Sequence, residues 1–502
     1  MKKLVAMLLS LLMLASLLAG CGNGSTVNDG TEQEQRDDLI VCYSYANNDL
    51  DPMHTTTSLQ YQMAALAFSS LVTFDSDGNP VARLADTWEI SEDNTVFTFH
   101  LNENAKFHDG TPVTAQDIVF SFQTAQASPY TAAKLVNMAS VAAADEHTVV
   151  ITMLSGYTCN INDLASVFVV PEATYISMGD QFSQKLIGSG SFKLESINTA
   201  TGDVVYVRNE DYFGTLPSLK KITFTTKTDR STQVIALENG EVDWIYTDSN
   251  QYTVLSGNDK LYTALEPSAV FPLLLFNTNS DGLAGNKLFR QAVAYAINYD
   301  VLAMSYSPVG SENNTAYYAK VWGNVPETGN GFSYNPERAK ELLTEAGVKT
   351  PVDFCTVYCT GATKSMAEAL QQSLADVGIN IKVEQTEAAT FVSKVIGVDY
   401  EMILNIDTAA PEAGATYRNM IRTGGGHNFN KYSNPEVDAL VDEISLGNDV
   451  DNNIAKLLTI LNDEVPQIHL FEPALLDAYN KKLNVPKAYD IYFIDFSAFS
   501  WN

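Results

Sequence analysis

From Val96 to Phe107 apolar and polar residues alternate, the pattern of a half-buried strand. Asp109-Gly110 then marks a turn, and Pro112 keeps the strand from running on. Thr114 is placed as a helix N-cap, with Asp117 three residues later and Ile118, Val119 and Phe122 at helical spacing behind it. The stretch predicts a strand, a tight turn and a capped helix, with His108 and Asp109 holding the turn.

The same reasoning extends along the chain. Leu39–Tyr45 predicts a first strand, ending in the turn-rich loop Asn47-Asn48-Asp49-Leu50-Asp51-Pro52. A helix follows with Met63, Leu66, Ala67 and Leu71 on one face, stopping near Asp77-Gly78. Strands are predicted at 148–154, 203–208 and 221–226, and a helix at 231–239 ends on Gly240. The unbroken apolar run Val270–Phe276 predicts a central strand buried on both faces. Residues 286–298 predict a helix, and Pro336 opens another that leaves at Gly347. A strand at 352–359, a helix at 363–377 and a strand at 379–385 form a βαβ unit, hence a parallel pair. A strand ends at Asp407, Asn434-Pro435 caps one more helix, and Ile468–Phe471 returns as a strand.

The first 21 residues are set apart from the fold. Lys2 and Lys3 precede an apolar run from Leu4 to Ala19 that is short for a membrane span. Leu18-Ala19-Gly20-Cys21 matches the lipobox of bacterial lipoproteins, which implies acylation of Cys21 and attachment to the cell membrane on its outer side. Residues 22–38 are polar and cannot bury a face, so they read as a flexible tether spanning roughly 20–25 Å.

The chain has 502 residues, 45% hydrophobic and 18% charged, enough for about three domains with real cores. A net charge of −30 excludes nucleic acid and disfavours anionic lipid surfaces. It serves solubility, or a field that favours cationic solutes. Cys355 and Cys359 share a predicted strand, roughly 13 Å apart, too far for a disulfide. Together with Cys42 and Cys159 they are expected to be mostly free, buried thiols. The six histidines show no metal-ligand spacing, so no directly ligated metal is expected. Gly188-Ser189-Gly190-Ser191 fits neither a phosphate loop nor a nucleophile elbow. No enzyme and no cofactor is expected.

Several segments carry a resemblance in chain order: Leu50-Asp51-Pro52, Leu84-Ala85 with Trp88, Phe107-His108-Asp109-Gly110-Thr111-Pro112, Gly188–Leu194, Glu241-Val242-Asp243 and Arg290-Gln291-Ala292 with Ala296-Ile297. Together they resemble the large solute-binding proteins that serve ABC importers for peptides, nickel and related ligands. The resemblance implies an α/β, bilobal periplasmic-binding-protein-like clamp of class II, large type, with an additional α+β subdomain. The first lobe would comprise 39–75, 188–270 and 471–502, the subdomain 76–187 and the second lobe 271–470. The hinge would be two crossings, near Pro267–Asn277 and His469–Tyr479.

For function the resemblance implies hinge closure over a peptide, which is then passed to a membrane permease and its ATPase. Chelated nickel, a sugar oligomer, an opine-like cation or a role as peptide-signal receptor stay open, and a monomer is expected. Asp407, leaving the edge of a sheet, either grips a ligand ammonium, as the family's peptide binders do with an Asp on this loop, or caps the following helix. Glu412 is the alternate anion. Arg418 and Arg422, one helical turn apart, either meet a ligand carboxylate or lie on a solvated face. His427 belongs to a glycine-rich loop able to order around ligand. Tyr43, Tyr45, Trp244 and Phe271 are candidate cleft aromatics, with Asn48 and Asn277 as polar candidates beside them.

Overall fold

Leu39, Val41 and Tyr43 enter one core while Cys42, on the opposite side of the same strand, enters another. A strand covered on both faces sits inside a sheet, and this one does. The computed structural model describes residues 36–47, 49–55, 57–266, 268–311, 332–410, 412–486 and 494–502. The predicted leader with Cys21, most of the tether, and Asn48 lie outside the described residues.

Seven strands bear on the site: β1 (Asp38–Tyr43), β2 (Trp244–Tyr246), β3 (Leu261–Glu266), β4 (Val270–Phe276), β5 (Met402–Thr408), β6 (Gln467–His469) and β7 (Leu475–Asn480). So do four helices: α1 (Ser58–Ala67), α2 (Ala115–Ala127), α3 (Ala413–Met420) and α4 (Pro435–Ser445). The first sheet has seven strands in the order β3-β7-β2-β1, followed by Lys221–Thr226, Asp203–Arg208 and Phe192–Asn198. Within it β1 runs parallel to both neighbours and the other pairings are antiparallel.

The second sheet is antiparallel, in the order β5-β4-β6. Its central strand accounts for the unbroken apolar run: Leu274 and Phe276 enter one core, Phe271, Leu273 and Leu275 the other. The βαβ unit beside it has the predicted parallel pairing of Val352–Cys359 with Ile379–Gln385. Two sheet-centred bodies joined by two chain crossings make the molecule bilobal. Both crossings are tighter than expected, since β3 ends at Glu266 and β4 starts at Val270, while β6 ends at His469 and β7 starts at Leu475.

A third, four-stranded antiparallel sheet takes its strands from 85–90, 96–101, 148–153 and 138–143. Helix α2 packs on it, and its hydrophobic core is continuous with that of the first sheet. The N-cap of α2 is reciprocal: Thr114 accepts from the Asp117 N–H, and the Asp117 carboxylate accepts from the Thr114 N–H at 3.0 Å. Asp109 holds its turn by accepting from the Thr111 N–H at 3.0 Å and hydroxyl at 2.6 Å. His108 accepts from the Gly188 N–H at 3.2 Å through Nδ1 and donates through Nε2 to the Gly190 carbonyl at 3.1 Å. Burial pushes this imidazole down to about 4, in keeping with that neutral tautomer. The two glycines are sterically required: a Cβ at Gly188 would lie 1.9 Å from the Ala67 carbonyl oxygen, and one at Gly190 2.3 Å from that of Leu66.

One element departs from expectation. Helix α1 stops at Ala67, and Leu71 is outside it. Val72–Phe74 instead pairs with Pro80–Ala82 across Asp77-Gly78, and Gly78 supplies the positive φ of 83° that the turn requires. The four described cysteines are free, with Cys355 partly exposed and the others buried.

Candidate ligand-binding site

The chain leaves the first sheet at the end of β3 and enters the second at the start of β4, so the edges near those points lie on either side of the crossing. On the first lobe this edge carries the ends of β1 and β2, Tyr43 and Tyr246. On the second it carries the end of β5, where Asp407 stands opposite Phe271 and Thr408 opposite Val270. Ligands of α/β folds collect at such strand ends.

Asp407 is 8% exposed. Its Oδ1 accepts from the Thr408 N–H at 2.8 Å and lies 3.0 Å from His427 Nδ1, with Oδ2 at 3.3 Å from the same nitrogen. The hydrogen bond to Asp407 raises the His427 pKa against the opposing effect of burial. His427 is half-exposed and stacks on Phe429, centroids 5.2 Å apart. Asp407 does not cap α3, whose N-cap is Glu412 without a capping hydrogen bond.

Glu412 and Arg418 reach the subdomain. Glu412 accepts from the Thr158 hydroxyl at 2.9 Å, and the Thr158 N–H donates to the Ser445 carbonyl at the end of α4 at 2.9 Å. The Arg418 guanidinium lies 4.2 Å over the Tyr157 ring and donates to Cys159 Sγ at 3.1 Å. Burial raises the Glu412 pKa, and the Thr158 hydrogen bond and Arg418 counter it. Nearby Asp163 is pushed up to about 7, by burial first. Residues 157–163 and α3 therefore form a latch between the subdomain and the second lobe. Arg418 Nη1 is buried and makes no hydrogen bond. Arg422 turns elsewhere, into a two-point ion pair with Asp442 at 2.8 and 3.2 Å. The two arginines do not form one carboxylate clamp.

Three other candidates are corrected. Trp244 is fully buried, wedged among Tyr43, Tyr246 and Phe496, because β2 turns that face into the core. Phe271 is 1% exposed and stacks on His469 at 4.3 Å, so it supports Asp407 from within the core. Asn277 lies past the far end of β4, about 20 Å along the strand from Phe271, where its N–H bonds the Glu401 carbonyl and its side chain holds Asn279.

Tyr45 is placed with the site. It is 46% exposed and lines a recess of about 260 Å³ with Tyr43, Tyr246, Arg230, Gln233 and Leu475. Below the recess the Tyr43 hydroxyl donates to Gln62 Oε1 on α1, and Gln62 Nε2 reaches the Tyr246 hydroxyl at 3.5 Å. Sequence reading passed over Tyr246, Gln62, the latch loop and one carboxylate, Asp477, on β7. A signal for Asp477 exists: Leu475, Asp477 and Tyr479 alternate with Leu476 and Ala478, which puts a charge on a covered strand face. Among the described residues no group of three or more His, Cys, Asp or Glu is placed to hold a metal, and no helix is long and apolar enough to cross a membrane.

Two lobes joined by paired crossings, with polar groups gathered at facing sheet edges, define a solute-binding clamp. The chain belongs to the bacterial extracellular solute-binding proteins of family 5, whose middle-region model matches residues 79–429. A candidate ABC transporter peptide-binding protein of Brucella ovis is 32% identical over 65% of this chain and 64% of its own length. The chain thus spans just under two thirds of that relative. The glutathione-binding protein of Pectobacterium atrosepticum is 28% identical over 72% of this chain and 71% of its own, and the nickel-binding periplasmic protein of Escherichia coli 24% identical over 90% and 92%. Among solved structures, AppA of Clostridium difficile, a candidate peptide-binding protein, superposes with a TM-score of 0.81 at 25% identity over 93% of this chain and all of that one. DppA of Helicobacter pylori in complex with the peptide STSA gives 0.79 at 21% identity over 93% and 98%, a likeness of fold.

Proposed function

We propose that this protein captures peptides between its two lobes and hands them, chemically unchanged, to the membrane permease of an ABC importer. It works as a monomer held at the outer face of the cell membrane by lipid on Cys21. The carrying observation is Asp407: a carboxylate at the strand end facing the crossing, 8% exposed and fixed by the Thr408 N–H and His427. A fixed, nearly dry anion is suited to a ligand ammonium, because little of its attraction is lost to water. The named ligands of relatives support a peptide, through the peptide in the Helicobacter structure and the di- and tripeptide-binding protein of Pseudomonas aeruginosa. The nickel-binding relative keeps a chelated metal as the competing cargo.

Capture is a matter of differential affinity. Ligand contacts that span both lobes exist only when the lobes are together, so ligand shifts the population toward that state. The latch from Thr158 to Glu412 and Ser445 adds protein–protein contacts to the same state. Asp407→Ala leaves the ligand ammonium buried and unpaired, a loss of about 3–5 kcal/mol, or about 10²-fold to a few times 10³-fold in affinity. Calorimetry with di- and tripeptides on the folded variant checks this. A change under about threefold, against the tenfold that 1.4 kcal/mol produces, removes Asp407 from the role.

A further inference from the structure

On the first lobe a buried carboxylate stands without a partner. Asp477 occupies the middle of β7, flanked on one side by Tyr246 of β2 and on the other by Ala264 of β3. It is 8% exposed, and its Oδ1 is sealed from solvent with no hydrogen bond. The groups that face it are hydroxyls and another acid: Tyr43 on β1, Tyr246 on β2, Tyr479 on its own strand and Glu266 at the end of β3. No lysine, arginine or histidine among the described residues bonds to it. Arg230, which lines the adjoining recess, donates to the Tyr246 carbonyl at 3.1 Å.

Leaving a carboxylate in this state is costly, and leucine would fill the position without that cost. Its surroundings favour one kind of guest. Tyr246, directly across from it, and Leu475, the next residue on its own strand face, both line the recess, so Asp477 lies one side-chain step behind that wall. Tyrosine rings beside a carboxylate offer a cation both a counter-charge and π-faces. A long side chain ending in ammonium or guanidinium has the reach to cross such a step.

Resting on the peptide-capture reading above, we propose that Asp477 is the first lobe's counter-charge for a cationic side chain of the ligand, so that the protein selects basic peptides of the lysine or arginine type. Asp407 would hold the terminal ammonium from the other lobe, and a single basic ligand would bridge the two. Burial, and secondarily the charge of Glu266, push the Asp477 pKa up to about 8. The carboxyl group is then mainly protonated at pH 7, and the entering cation displaces its proton to the solvent. Binding of a basic peptide releases protons and strengthens as pH rises toward 8; binding through Asp407 alone carries no such contribution from Asp477.

The test loads ligand-stripped wild-type and Asp477→Asn protein with equimolar tripeptide pools whose central residue is Lys, Arg, Ala, Leu or Glu, and reads retained peptides by mass spectrometry. Wild type should retain Lys and Arg members at least tenfold over Ala members, with that preference falling below threefold in Asp477→Asn. Equal retention by wild type, or an undiminished preference in Asp477→Asn, overturns the proposal. If no pool is retained, the peptide reading itself fails, and the same pair is titrated with agmatine and spermidine. Binding of these by wild type and its loss in Asp477→Asn sustains Asp477 as a cation site, and no difference between the two proteins overturns it. Asp477→Leu, isolated in parallel and checked for cooperative melting, guards against an effect peculiar to asparagine.

Discussion

Asp407 and Asp477 stand on different lobes, each 8% exposed, and their surroundings could hardly differ more. Asp407 already has a backbone N–H and an imidazole as partners. Asp477 has tyrosines and another acid. The first is a carboxylate that the fold has already supplied with hydrogen-bond partners. The second is a group the fold has left uncompensated, and burial answers by holding the proton on it. Equal burial thus yields opposite electrostatics, and the deciding variable is the set of hydrogen-bond donors within reach.

Truncation should separate the pair most sharply. Asp477→Leu removes an unsatisfied buried carboxylate and is expected to stabilise the ligand-free protein by about 1–3 kcal/mol. Asp407→Ala removes the acceptor used by the Thr408 N–H and by His427 and should cost stability. Scanning calorimetry of both variants decides, and a lower melting temperature for Asp477→Leu would end the contrast. The pH dependence carries the same sign. Asp477 binds its proton more tightly when folded, so between its ordinary value of 3.8 and about 8 the folded state holds the extra proton. Wild-type stability should therefore fall relative to Asp477→Asn as pH rises through that window.

His427 supplies a smaller, pH-tuned effect on the other side. Its raised pKa means that its pair with Asp407 contributes stability fully below the ordinary value of 6.5, a contribution lost as pH rises through the raised value. In the role proposed for Asp407, the imidazolium would compete with a ligand ammonium for the same oxygens. Affinity for a neutral-side-chain peptide should thus improve a few-fold from pH 6 to pH 8 in wild type and stay level in His427→Gln. A level wild-type profile would mean that His427 stays on Asp407 in the bound state.

What could be read beforehand follows the range of the interactions. The cap formed by Thr114 and Asp117, the turn at Asp109 and the two-sided burial of Val270–Phe276 depend on neighbours in the chain, and each was legible. Leu71 misled because helical spacing continues past Ala67, while the hairpin around Gly78 is what closes that segment. Trp244 and Asn277 misled because residue type says nothing of which strand face or end meets the other lobe. Asp477 was written in the alternation of its strand, but its lack of partners is a property of β1, β2 and β3 together. The latch was invisible, since Thr158 and Glu412 meet across two bodies of the fold.

That latch gives the last test, and it asks whether the second lobe's charges act on closure or on ligand. In Thr158→Val the hydroxyl that donates to Glu412 at 2.9 Å is gone, while the Thr158 N–H still bonds the Ser445 carbonyl. One hydrogen bond to a partly buried carboxylate is lost, about 1 kcal/mol of the closed state, or about fivefold in ligand affinity. Since Glu412 gains no ligand contact in compensation, the loss should be equal for basic and neutral peptides, unlike that of Asp477→Asn. Scattering of the ligand-free variant should shift toward a more open form. If affinity falls only for basic peptides and the scattering is unchanged, Glu412 is a ligand group after all, and the cationic side chain is met from the N-cap of α3 as well as by Asp477.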